Sequence, residues 1–230
     1  VGRGVRHTGP GVARHCAGVV VAAHKRRVAA CLALMNVHAA RVGREARAGR
    51  AKRVEAGAGD GRVVAIGEIG LDYYYDHADR DTQKIAFDAQ LALAAKLSLP
   101  VVIHTREADE DTRAILANHS NSLKRKGVIH SFTSSLSLAE FCLGEGFMLG
   151  FNGITTFRKA DHVRAVVYAT PLERIVLETD APYLTPVPYR GRPNAPCYLP
   201  FIAETLADIK SLPTEAFLEH ARANSYRLFF

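Results

Sequence analysis

Four side chains of types that bind divalent cations each close a short apolar run in this 230-residue chain. They are Glu68, His104, His130 and Asp180, at the ends of "VVAIGE", "PVVIH", "GVIH" and "RIVLETD". Their separations are 36, 26 and 50 residues, and the last interval contains a fifth apolar run, "FMLGF", with no ligand at its end. Mixed imidazole and carboxylate donors suit Zn, Mn or Mg. A divalent ion lowers the pKa of a bound water from about 16 to roughly 7 and neutralises charge developing on a substrate oxygen. Singly, each residue has a plainer reading. A lone His is commonly a satisfied polar group, Glu68 can cap or pair with a cation, and Asp180 before "APYL" can cap a turn. Their common position at strand ends is what argues for one metal site.

Such a site needs elements that bring distant residues to one place. The five apolar runs alternate with segments of helical periodicity, among them "DTQKIAFDAQLALAAKLS" and "SLSLAEFCLGEG". In the first, Ile85, Phe87, Leu91, Leu93 and Leu97 are expected to form the stripe that packs on a sheet. Strands apolar throughout imply burial on both faces, hence a parallel sheet covered by helices and an α/β fold. In a β/α barrel, successive strands deliver their C-terminal residues to one mouth. Gly67 and Gly70, flanking Glu68, would let neighbouring backbone approach closely.

The net charge of +7 suggests nucleic acid until it is divided. Residues 1–62 hold 13 Lys or Arg against 3 acids, and residues 63–230 hold 17 against 20. The charge therefore says little about what the second part attracts. Residues 1–62 also lack Ile, Phe, Tyr, Ser and Gln. They read as a basic, partly disordered leader, as a truncated or frame-shifted start, or as simplified strands "GVVVAA" and "CLALMNV". A division into an atypical segment 1–62 and a hydrolase domain 63–230 follows. The four cysteines, Cys16, Cys31, Cys142 and Cys197, show no CxxC spacing, which suits a reducing cytoplasm. No apolar run approaches the length of a membrane span.

The segments "GEIGLDYYYD", "LPVVIHTREA", "GVIHSFTSS", "GFNGITTF", "ERIVLETDAPYLTP" and "RGRPNAP" resemble, in order and spacing, the TatD family of metal-dependent deoxyribonucleases. The likeness runs from residue 63 to the closing "ANSYRLF". It implies a TIM-type (β/α)8 barrel of the amidohydrolase superfamily, one or two divalent metals, and cleavage of DNA phosphodiester bonds in single strands or at strand ends. By resemblance Glu68 bridges two metals, His104 and His130 ligate one, and Asp180 ligates the other. Asp180 is placed to take the proton of the attacking water. Glu178, two residues earlier on the same face, either supports the ligands or forms an internal ion pair. Arg106, Arg190 and Asn194 fall where the resemblance suggests loop contacts to substrate.

Departures from the family pattern are specific. The opening His-x-His strand, which completes the second metal site, has no counterpart, since no His-x-His occurs in the sequence. His15 is followed by Cys16 and Ala17, and His38 by Ala39 and Ala40; Ser134 and Ala195 replace the usual Gly and Glu. A barrel incomplete or irregular at its N-terminus, a weakened second metal site and low activity are therefore expected. Ester or lactone hydrolysis in the same barrel mouth, or an inactive barrel, are the alternatives.

Overall fold

The structure, a computed structural model, describes residues 63–230. Segment 1–62, with "GVVVAA", "CLALMNV", His15 and His38, lies outside the described residues. Five strands are present: β1 Ile66–Asp72, β2 Val101–Arg106, β3 Gly127–Ile129, β4 Met148–Phe151 and β5 Ile175–Leu177. They pair in chain order, every neighbour parallel. Sequential parallel order is that of a β/α barrel wall; among the described residues the wall does not close.

Helices connect and cover the strands: α1 Arg80–Leu97, α2 Asp109–His119, α3 Leu136–Gly144, α4 Asp161–Ala169, α5 Leu199–Ile209 and α6 Thr214–Phe229. The start of α1 is fixed by Asp79, whose carboxylate accepts from the Thr82 N–H, and its end by Ser98 in the left-handed region. The buried stripe of α1 is Gln83, Phe87, Leu91 and Ala94, not the one expected. Ile85 is 62% exposed, because two residues from Phe87 is about 200° around the helix. Leu93 and Leu97 pack at the margin of the core. None of the described helices is long and apolar enough to cross a membrane.

Two apolar layers sit on the two faces of the sheet. The larger joins Ile69, Leu71, Ile103, Ile129, Leu149 and Ile175 to Phe87, Leu116, Leu138, Val167, Leu206 and Phe217 of the helices. On the other face Val102, Val128, Met148 and Val176 meet Leu228 and Phe229 at the end of α6. That helix is tied to the sheet by Asn224, whose amide donates to the carbonyls of Leu172 and Ile175, both at 2.8 Å.

Glu68 does not end its strand. The pairing of β1 with β2 runs Gly67 to Val102 and then Ile69 to Ile103, so Glu68 is the extra residue of a bulge. The bulge keeps Ile66 and Ile69 on the helix-covered face and leaves Glu68 on the open one, with the strand continuing to Asp72. Close packing here depends on glycine. A Cβ on Gly67 would stand 2.6 Å from the Val102 Cβ, and one on Gly70 only 1.9 Å from the His104 carbonyl oxygen.

Candidate metal centre

Three ligand atoms converge at the C-terminal side of β1, β2 and β3. Glu68 Oε1 lies 2.9 Å from His130 Nε2 and 3.2 Å from His104 Nδ1, and the two imidazole nitrogens are 3.3 Å apart. The triangle follows from the ladder. Ile103 pairs with Ile129, and the His130 N–H bonds the Ile103 carbonyl at 2.9 Å, which sets the histidines side by side. The bulge then turns Glu68 towards both.

These distances fit a cation. Donors about 2.1 Å from one ion stand ~3.0 Å apart at a right angle and ~3.4 Å apart at the tetrahedral angle. The proton arrangement fits as well. His104 Nε2 is 3.0 Å from Asp72 Oδ2, so the proton sits on that nitrogen and Nδ1 offers a lone pair to the cluster. Glu68 Oε1 and His104 Nδ1 are then two acceptors at 3.2 Å, an arrangement that calls for a shared proton or cation. Without metal, the His130 Nε2–H serves. Burial alone would lower the His130 pKa, but its bond to Glu68 and the nearby carboxylates push it up to about 9. Burial likewise opposes ionisation of Glu68, yet the two imidazoles beside it, with His130 donating to Oε1, hold its carboxyl well below the usual range.

Asp72 was not singled out in the sequence, although it lies four residues after Glu68 on the same strand face. Its Oδ1 accepts from the Tyr74 and Tyr75 N–H groups at 3.0 and 2.9 Å. Gln83 of α1 brackets its backbone, accepting from its N–H at 2.8 Å and donating to its carbonyl at 3.1 Å. The signal was a carboxylate at even spacing from a candidate ligand.

Asp180 stands outside the triad. The level of His104 continues across the sheet through His130 and Gly150 to Val176, so Asp180 falls four residues beyond it. It is exposed, with φ of 59°, and its carbonyl accepts from the Tyr183 N–H at 2.9 Å. Its charge still reaches the site, raising the pKa values of His130 and Glu178. Glu178 lies behind His130, with Oε1 3.9 Å from Nδ1 and accepting from the Ser131 N–H. Burial pushes its pKa up. A Cβ on Gly150 would meet the Glu178 carboxylate at 2.9 Å, so glycine leaves room for it.

The three residues expected at substrate differ in placement. The Arg106 guanidinium lies 3.8 Å over the Tyr74 ring and 4.8 Å over the Tyr75 ring. It also borders a cavity of about 960 Å³ lined by Tyr73, Asp109, Asp111 and His162 and by none of the triad. The Arg190 guanidinium covers the Phe157 ring at 3.8 Å and donates to the Thr185 carbonyl at 3.3 Å. Asn194 is buried, and its amide donates to the carbonyls of Thr179 and Tyr183, both at 2.6 Å. In this structure it braces the loop that carries Asp180.

Comparisons with known proteins place the chain in a family. A sequence model of the TatD related DNase family matches residues 12–230. The uncharacterised metal-dependent hydrolase YabD of Bacillus subtilis (strain 168) is 41% identical over 168 residues, covering 73% of this chain and 66% of that protein. The 3'-5' ssDNA/RNA exonuclease TatD of Erwinia tasmaniensis is 41% identical over 173 residues, with the same coverage of both chains. The chain thus spans just under two thirds of the length of these relatives. A crystal structure of YjjV, a TatD homologue from Escherichia coli K12, superposes with a TM-score of 0.74 at 32% identity, over 79% of this chain and 70% of that one. The wall of parallel strands is thus part of a TIM-type barrel, and the chain belongs to the family of TatD related DNases.

Proposed function

We propose that this chain is a metal-dependent hydrolase that cleaves phosphodiester bonds of DNA, acting on single strands or strand ends. The convergence of Glu68 Oε1, His104 Nδ1 and His130 Nε2 within 3.3 Å of one another carries the reading. When bound there, a divalent ion would supply a Lewis acid and an acidified water. Glu68, His104 and His130 would hold it. Asp72 keeps the proton on His104 Nε2, so that Nδ1 faces the ion, and Glu178 supports His130 from behind. Asp180, outside the triad, would be the group to take the proton of the attacking water. Arg106 and Arg190 offer cationic groups to the phosphate backbone.

The test joins metal content to activity. Protein loaded with Mn, Mg or Zn and desalted is expected to retain one ion per chain by mass spectrometry. It is then expected to shorten a single-stranded oligonucleotide, with chelation or His130→Ala removing the activity. Hydrolysis of lactones with no attack on DNA, or no retained metal, would overturn the assignment.

A further inference from the structure

Tyr74 and Tyr75 emerge from β1 immediately beyond Asp72, and each is 55% exposed. Adjacent exposed aromatic rings beside a metal site invite a ligand with flat faces. The two rings meet edge to face with centroids 4.9 Å apart, and Tyr75 stacks on His77 at 5.4 Å with planes 8° apart. Arg106 lies over both rings, and among the described residues its guanidinium makes no hydrogen bond or ion pair. Its face is held by the tyrosines while its N–H edge is open. That edge is the part of arginine that grips phosphate.

The rings are also positioned relative to the metal ligands. One carboxylate of Asp72 holds His104 with Oδ2 and the backbone of Tyr74 and Tyr75 with Oδ1. Gln83 fixes the other end of the loop through the Ala78 carbonyl at 2.9 Å. Arg106 follows His104 by two residues and shares its strand face.

We propose that Tyr74, braced by Tyr75 and Arg106, forms a stacking platform for an unpaired base of a single nucleic-acid strand while its backbone lies at Glu68, His104 and His130. The proposal rests on the phosphodiesterase reading above. Bases in a duplex already use their faces on one another, whereas an unpaired base offers its face to a ring. The platform therefore favours single strands and frayed ends without reading sequence.

Equilibrium binding tests this apart from catalysis. A short fluorescent oligonucleotide and an abasic strand of equal length are titrated by anisotropy into the full chain in chelator. The basic residues of segment 1–62 attract both strands alike, since that attraction needs no bases. The wild type is expected to prefer the intact strand roughly 5- to 150-fold for the stacked base. Tyr74→Ala should remove most of that preference, and Tyr74→Phe should keep it. Equal binding of the two strands by wild type, or a preference unchanged in a Tyr74→Ala, Tyr75→Ala double variant, overturns the platform. Hydrolysis by the metal-loaded wild type is scored separately. Base-dependent binding without cleavage sinks the enzymatic reading, whereas cleavage with no base preference sinks the platform.

Discussion

Replacing Asp72 by Asn should weaken the metal site without disturbing the fold, through the position of one proton. Asp72 Oδ1 accepts two backbone N–H groups and Oδ2 faces His104 Nε2 at 3.0 Å. In Asp72→Asn the amide oxygen keeps the two backbone donors, which turns the NH2 group towards His104. The Nε2 nitrogen must then accept, and the imidazole proton moves to Nδ1, the atom that faces Glu68 and His130. Metal binding requires that proton to leave or the amide to turn at the expense of both backbone bonds. Loss of such a supporting partner weakens metal affinity about 10- to 100-fold, or roughly 1.4–2.7 kcal/mol. Competition titration of Mn or Zn against a fluorescent chelator measures the change. The 15N shifts of His104 report the tautomer directly. Because the turn contacts persist, the melting temperature of the metal-free variant should stay close to that of wild type. Unchanged metal affinity, or a His104 that keeps its Nε2–H in the variant, would refute the reasoning.

The raised His130 pKa makes metal binding a competition with a proton. Below about 9 that proton must be displaced, so the apparent association constant should rise about tenfold per pH unit up to that value and then level. Titration calorimetry in buffers of different ionisation enthalpy would detect the released proton. In metal-free protein the sign is opposite. Stability contributed by His130 is present below its unfolded value near 6.5 and declines as pH rises through about 9, as denaturant melts across that range would show. Gly70→Ala would force a Cβ to within 1.9 Å of the His104 carbonyl at a φ of 130°, costing about 3 kcal/mol or more. Gly191→Ala, where nothing lies within 4 Å, should cost about 1 kcal/mol from backbone strain alone; urea unfolding compares the two. Asn224→Ala would leave the Leu172 and Ile175 carbonyls without their side-chain donor. The expected loss is about 2–4 kcal/mol, measured in the same way.

What the chain determined locally was its elements. Apolar runs of strand length, helical periodicity and turn residues gave five strands in parallel order, because each depends on neighbours close in sequence. The types Glu68, His104 and His130 were legible for the same reason. The stripe of α1 was misread at Ile85, where hydrophobicity was counted without the 100° step that turns that residue to solvent.

Tertiary structure decided which of these groups share a site. The distance from Glu68 to His130 spans 62 residues and depends on the bulge in β1, which pairing with β2 reveals and composition does not. Register set His104 and His130 level and left Asp180 four residues beyond them, in a loop with its own turn. The role of Asp72 was hidden because a carboxylate near a histidine acquires meaning only when its two oxygens are seen to serve different partners. Asn194 and Arg106 carry equally polar side chains. One has its donors consumed by loop carbonyls and the other lies open on two rings. Residue type fixes what a side chain can do, whereas packing of remote segments fixes which of those capacities is still available.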